Sequence, residues 1–375
     1  MRKKSFEMKI LRLTARIIIG VVFMFSGTVK AIDPLGSVYK FHDYFQAFHL
    51  GFLNNLSLIL AILLCCAEFI SGFSVLTGFR QKNGLLGVLL LLIIFTPLTF
   101  ILALTNPVSD CGCFGDAIHL TNWQTFGKNI VLCVLLIFLL TDKNKSENIF
   151  SNTAQWGVIF IVLALFIVFS FLNIRYLPVI DFLPYKTGVK IADKMIIPEG
   201  VPADEYRTTF IYEKNGVRKD FNISNYPAND TTWKFIDQKS ILVKRGYKPP
   251  IHDFTITKLN GEDLTQKVLS YPGYSLLMVT RKLSEARRKS LDMGFKLGVF
   301  CMSHNINFYI MTSSGTEEVK SYENGLIFCS ADETTLKTMV RANPGFILIK
   351  DGIIHGKWSW ANVPDESWFG KLVNQ

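Results

Sequence analysis

The sequence predicts a polytopic α-helical membrane bundle followed by an exported α/β domain. Three observations predict it. The chain is 49% hydrophobic and only 19% charged, more apolar than an ordinary soluble protein. The apolar residues crowd into the first 176 of 375 positions. Beyond residue 250, short strand-like and helix-like runs alternate in the order of an α/β fold. The expected division is a four-helix membrane domain over 1–150, a fifth membrane helix over 151–176, a small β-rich connector over 177–248 and an α/β domain over 249–375.

Apolar runs at 11–30, 55–77, 84–105, 123–141 and 154–174 each reach the ~20 residues a crossing helix needs. Basic flanks orient them: "MRKKSFEMK", Arg80 with Lys82, and Lys143 with Lys145 fall on one side, read as cytoplasmic. No Lys or Arg occurs from Asn106 to Asn122, so that loop is expected outside, together with everything after the fifth span. "MRKK" also suits the n-region of a signal peptide, with Val29 and Ala31 at a cleavage-like site. The long apolar stretch carrying Arg16 favours a retained helix.

The net charge of +10 is read as topology determinants. No Arg-rich stripe with interleaved aromatics points to nucleic acid, which is not an expected partner. No inverted repeat or broken helix pair points to a transporter. No glycine-rich phosphate loop is present in a nucleotide-binding context. The expected partners are the lipid bilayer and an exported client protein.

Arg16 and Glu68 fall inside spans one and two, where an ionisable group usually faces a partner or a wet cavity. Counting from the cytoplasmic ends puts their levels roughly 7 Å apart at ~1.5 Å per residue. They are expected to form a structural pair, or else a proton or quinone site. Cys65, Cys66 and Cys133 lie mid-span and are expected to pack as small hydrophobes.

"DCGCFGD" at 110–116 holds the candidate catalytic residues, Cys111 and Cys113. Exposed paired thiols on an oxidising face tend to become disulfides. Residues i and i+2 stand at the edge of the allowed separation unless a turn at Gly112 draws them together. Three readings stay open: a redox-active pair, an inert loop staple, and a metal site with His119. The last lacks a fourth ligand, and no metal is expected.

"FMFSGTVKAIDP" (23–34), "CCAEFISGFSVLTG" (65–78) and "CGCFGD" followed by "TFGKN" resemble the DoxX/MauE family of four-helix membrane proteins. The resemblance covers about 8–141 and places Lys30 and Asp33 in its FSG–K–DP pattern. It implies a bacterial inner-membrane protein, with its N-terminus cytoplasmic and its C-terminal domain periplasmic. It also implies support of periplasmic disulfide maturation, as in methylamine utilisation. A quinone is the one cofactor it suggests, with Arg16, Glu68 and Lys30 as candidate binding residues.

In the exported half, Asn215–Gly216 marks a hairpin. Phe221, Trp233 and Phe235 are expected to form the connector's core. "SLLMVT", "NFYIMTSS" and "GLIFCS" read as strands, and "LSEARRKSLDMGFKLGVFCMSH" as a helix capped by Ser284. Ser330 and Glu333 suit a capping box, and "GFILIKDGIIHGKW" a hairpin. "HDFTITKLNGEDL" and "RANPGFILIKDGIIHGKW" resemble the thioredoxin-like fold of membrane-tethered periplasmic thiol proteins, with Pro344 the cis-proline candidate. The place of that family's Cys-x-x-Cys reads "RKLSEAR" (281–287), without cysteine. Cys301 is expected to be buried. Cys329, at a helix N-terminus where a thiol pKa can fall, is the further candidate for exchange.

Two functions compete on these readings. One is thiol–disulfide oxidoreduction at Cys111 and Cys113. The other is a non-catalytic anchor presenting a recognition domain within an envelope assembly.

Overall fold

The computed structural model describes residues 2–108, 110–141, 150–202, 205–227, 230–244, 246–322 and 325–373. Lys143 and Lys145 lie outside the described residues. Among the described residues, five helices are long and apolar enough to cross a membrane: Phe6–Ile32, Gly51–Thr77, Gln81–Thr105, Asn122–Leu140 and Asn152–Tyr176.

Helix α1 (Arg2–Ile32) stops at Asp33–Pro34. Proline cannot continue a helix but suits the first position of the next, and Asp33 accepts the Gly36 N–H at 3.0 Å. This cap starts α2 (Pro34–Ala47), an amphipathic helix outside the predicted spans. A 3-10 turn, Gly51–Leu56, leads into α3 (Ser57–Thr77), which ends at the left-handed Gly78. Helix α4 (Gln81–Thr105), the loop 106–121, α5 (Asn122–Leu140) and α6 (Asn152–Tyr176) complete the bundle. A reciprocal capping box between Thr121 and Gln124 begins α5, satisfying two backbone donors that the first turn leaves open.

Helices α1 and α3 pack backbone to backbone. A Cβ added to Gly27 would lie 2.7 Å from the Cys65 carbonyl oxygen, and one on Gly72 would lie 2.7 Å from that of Gly20. Small residues permit such approach between membrane helices. Two ends of the bundle follow from the contacts. At one, the Arg80 N–H donates to Gln155 at 2.9 Å. At the other, Asn173 Nδ2 donates to the Ala31 carbonyl at 3.3 Å, and the Ser359 hydroxyl donates to the Arg175 carbonyl at 2.6 Å.

Residues 189–254 form a compact unit of their own. It holds the short α7 (Ile191–Met195) and an antiparallel sheet of β1 (Glu205–Lys214), β2 (Val217–Asn222) and β3 (Lys234–Lys244) in the order β2-β1-β3. Asn215 and Gly216 both have positive φ, +54° and +78°, as a tight primed turn requires. Phe221, Trp233, Tyr212 and Phe235 meet edge to face. Phe235 is exposed and the other three are half-buried. The expected core is therefore an aromatic face of a single sheet layer rather than an enclosed core.

The α/β domain is a six-stranded sheet in the order β4-β7-β6-β5-β8-β9. In chain order it runs β4 (Thr257–Lys258), α8 (Thr265–Leu269), β5 (Tyr274–Thr280), α9 (Arg288–Ser303), β6 (Asn307–Thr312), α10 (Thr316–Lys320), β7 (Ile327–Ser330), α11 (Glu333–Met339), β8 (Gly345–Lys350), β9 (Ile353–Ser359) and α12 (Glu366–Val373). Strands β5, β6 and β7 are parallel, β8 runs antiparallel to β5, and β9 runs antiparallel to β8 and so in the direction of β5. This is the mixed sheet of a thioredoxin-like fold. Leu276, Met278, Phe308, Ile310, Phe346 and Leu348 take one face with Leu291 and Leu297 of α9, and their alternation follows the two-residue period of strands. The Asn343–Pro344 peptide is cis.

Two cap expectations are corrected. Helix α9 starts at Arg288, and Ser284 lies in a preceding 3-10 turn. There its N–H donates to Glu318 at 2.7 Å. Helix α11 is capped by Asp332, which accepts the N–H groups of Thr334 and Thr335, not by Ser330.

Candidate functional site

Residues 110–121 fold back over the bundle end that α1, α2 and α5 form. Asn122 Nδ2 ties its base, donating to Asn106 Oδ1 and the Val108 carbonyl at 2.9 Å each. Asp110 Oδ1 accepts the Gly112 N–H at 2.8 Å, and its other oxygen accepts from Lys40 Nζ at 3.0 Å. Gly112 turns the chain at φ +63°, a conformation that favours glycine. The turn brings Cys111 Sγ and Cys113 Sγ within 2.9 Å. Both thiols are free and half-buried.

The two sulfurs are not equivalent. The hydrogen bond shared with Cys113 lowers the Cys111 thiol to about 6, against the opposing effect of burial. The Thr125 hydroxyl at 3.4 Å, the Cys113 N–H at 3.4 Å and the Lys128 ammonium act in the same direction. The same hydrogen bond, with burial acting alongside it, raises the Cys113 thiol well above the ordinary value. Of the two, Cys111 is therefore the more thiolate-like near neutral pH.

Beneath the turn lies a buried ion pair. Lys30 Nζ stands 2.9 and 2.8 Å from the two Glu68 carboxylate oxygens. It also donates to Ser26 Oγ at 2.7 Å and to the Cys113 carbonyl at 2.6 Å. The Ser26 hydroxyl is 2.9 Å from Glu68 and 2.6 Å from the Cys113 carbonyl. Tyr44 donates to the Cys111 carbonyl at 2.6 Å. Burial pushes its phenol well above the ordinary value, so it stays a donor. The carbonyls of both cysteines in the turn are thus fixed by side chains of α1 and α2. A cavity of about 190 Å³ opens below, lined by both cysteines, Lys30, Glu68 and Lys128 among apolar residues such as Phe95 and Leu132.

Residues 8–142 match the family model described as methylamine utilisation protein MauE. This N-terminal region is of the MauE family. Residues 206–245 match a family described only as a domain of unknown function (DUF8463). The chain is 31% identical over 144 residues to "Protein TlpB" of Flavobacterium psychrophilum, an alignment covering 36% of this chain and 39% of that protein. It is also similar to a solved structure named "putative protein disulfide isomerase" from Bacteroides thetaiotaomicron. That match has 20% identity and a TM-score of 0.25, over 32% of this chain and 82% of that one.

The MauE region brings Cys111, Cys113, Lys30 and Glu68 into one site and leaves Arg16 out of it. Arg16 donates from Nε to the Val75 carbonyl at 3.2 Å and from Nη2 to that of Leu76 at 3.4 Å, satisfying open carbonyls at the end of α3. The expected Arg16–Glu68 pair is therefore corrected to Lys30–Glu68. Arg16 is level with Val75 and Leu76, roughly 11 Å along α3 from Glu68 at ~1.5 Å per residue.

Cys65 and Cys66 are buried among the spans and Cys133 is half-buried. Cys301 and Cys329 are buried and free, and burial pushes each thiol up to about 12. The lowering expected for Cys329 at a helix N-terminus does not occur, because burial of its side chain dominates. His119 is exposed and stands 4.0 Å from Asp110. Among the described residues, no cluster of three His, Cys, Asp or Glu could hold a metal ion.

Lys40, Tyr44, Thr125 and Lys128 were not singled out from the sequence. The first two had a signal: Asp-Pro-x-Gly opens a helix, and positions 40 and 44 then share one face.

Proposed function

We propose that the MauE region is a thiol–disulfide exchange centre, with Cys111 and Cys113 its reacting residues. Its clients are exported proteins at the periplasmic face of a bacterial inner membrane. The observation that carries the reading is the sulfur pair itself: 2.9 Å apart across a glycine turn whose carbonyls are fixed, with one thiol at about 6. A loop staple needs no such asymmetry, whereas exchange is fastest for a thiol whose pKa lies near ambient pH.

The exchange balances without another reactant. A client thiolate attacks Cys111 Sγ of the Cys111–Cys113 disulfide, and the sulfur–sulfur bond breaks toward Cys113, which takes up a proton. The client's second thiolate then attacks the client sulfur of the mixed disulfide and expels Cys111. The client leaves oxidised, and two electrons remain on the pair, with one client thiol proton on Cys113, the other released to solvent and Cys111 left as a thiolate. Lys30, Ser26 and Tyr44 hold the turn while the sulfurs change partners. The α/β domain, without cysteine at 281–287, lends structure to this centre rather than a second dithiol.

The cavity fits the head of a lipid-soluble quinone. It is largely apolar, adjoins both sulfurs, and carries the ammonium group of Lys128 as a donor for a carbonyl oxygen. A bound quinone would supply a two-electron oxidant there.

The test is a redox titration of the pair in native membranes, with mass-tag alkylation under graded thiol buffers. A reversible couple between ~−120 and −230 mV, the range of exchange catalysts, is the expected result. A pair that stays oxidised below ~−300 mV, or stays reduced throughout, would make the loop structural. The anchored recognition domain would then be the better account.

A further inference from the structure

We propose that Arg341 is a positioning residue for the Cys111–Cys113 loop. The α/β face around it, which in a thioredoxin carries the reactive thiols, here clamps the chain's own membrane half. The functional meaning of this rests on the exchange reading above.

Arg341 follows α11 and precedes the cis Asn343–Pro344 bond, at the end of the sheet where β5 runs out into Arg281. Its guanidinium is 6% exposed. Nε donates to Asp33 Oδ2 at 2.8 Å, and Nη2 lies 2.7 Å from the same oxygen. Nη2 also donates to Asp116, and Nη1 donates to the Lys337 carbonyl at 2.8 Å. One side chain thereby joins two carboxylates that flank the site from opposite directions.

Asp33 caps α2 through Gly36. That helix delivers Lys40 to Asp110 and Tyr44 to the Cys111 carbonyl. Asp116 closes the far end of the loop, just past the turn in which the Gly115 N–H donates to the Gly112 carbonyl at 3.1 Å. The first carboxylate of "DCGCFGD" is thus held by α2 and the last by the α/β domain.

A second contact set supports the clamp. The Tyr39 ring of α2 receives Arg281 at 5.4 Å, Lys337 at 5.0 Å and Arg341 at 5.3 Å from its centroid. Cations over an aromatic face are attracted by its quadrupole. Glu333, 2.7 Å from Lys337, Asp33 and Asp116 offset their mutual repulsion. Arg281 and Arg341 occupy the two segments where a thioredoxin presents its Cys-x-x-Cys and its cis-proline loop. A membrane-domain tyrosine fills the place between them.

The test follows alkylation of Cys111 against pH by peptide mass, in the full-length protein. Wild type, Arg341→Ala, Arg341→Lys and Asp116→Asn are compared. Wild type should show a midpoint near 6. Arg341→Ala and Asp116→Asn should raise it by about one unit, which is about tenfold less thiolate at pH 5. Arg341→Lys should fall between wild type and Arg341→Ala. Profiles of Arg341→Ala and Asp116→Asn that superimpose on wild type would overturn the proposal. Asp116→Asn keeps the Arg341–Asp33 pair and decides the matter alone if Arg341→Ala does not accumulate. Failure of the exchange reading shows separately, as a wild-type pair without a reversible couple.

Discussion

At the scale of single residues, the site is governed by what Lys30 and Glu68 do for each other. An ammonium and a carboxylate, 6% and 7% exposed, are held inside a bundle otherwise built of apolar side chains. Removing one partner leaves a charge buried without compensation, which costs about 3–5 kcal/mol, whereas replacing both with apolar groups is often neutral. Glu68→Leu and Lys30→Met should each lower stability by that order, and the double variant by clearly less, measured by thermal unfolding in detergent. The double variant should still lose alkylation selectivity between Cys111 and Cys113, since Lys30 also holds the Cys113 carbonyl. The sequence made Glu68 conspicuous but not its partner. Hydropathy places a charge along a helix and says nothing of the direction in which it points. Lys30 closes the apolar run 11–30, so it reads as one residue of the FSG–K–DP pattern rather than as the ion-pair partner of Glu68.

At the scale of elements, the spans were legible because twenty apolar residues have few other uses in a chain. Helix α2 was not, because its amphipathic pattern competes with no strong propensity and its start depends on the Asp33 cap. The α9 and α11 caps were misplaced for the reason that several Ser and Asp residues near a helix start can each accept a backbone N–H, and tertiary contacts choose among them. The α1–α3 seam gives a sharp expectation. Gly27→Leu would drive a side chain into the Cys65 carbonyl 2.7 Å from the new Cβ. Overpacking of that kind costs about 1–3 kcal/mol or more, and it would part Lys30 from Glu68. A lower thermal midpoint should therefore come with faster labelling of Cys113, while Gly127→Ala, where a Cβ meets nothing within 4 Å, should change neither.

At the scale of the whole molecule, a membrane bundle and an α/β sheet were both readable from periodicity. Their junction was not. Arg341 and Asp33 are 308 residues apart, and no local pattern links a basic residue before a proline to an Asp-Pro helix start. The junction predicts non-additivity: Arg341→Ala and Asp116→Ala should couple by ~0.5–3 kcal/mol in a double-mutant cycle read by thermal unfolding, as for residues in direct contact. It also sets an order in time. Asp116 leaves the ribosome 225 residues before Arg341, which at ~5–20 residues per second is a wait of roughly 10–45 s. During that interval a newborn chain carries its thiol pair with one end of the loop untethered. The cysteines of a nascent molecule therefore meet their surroundings before they acquire the geometry of a finished one, and a chain stalled or cut before its last strands would keep that immature pair for its lifetime.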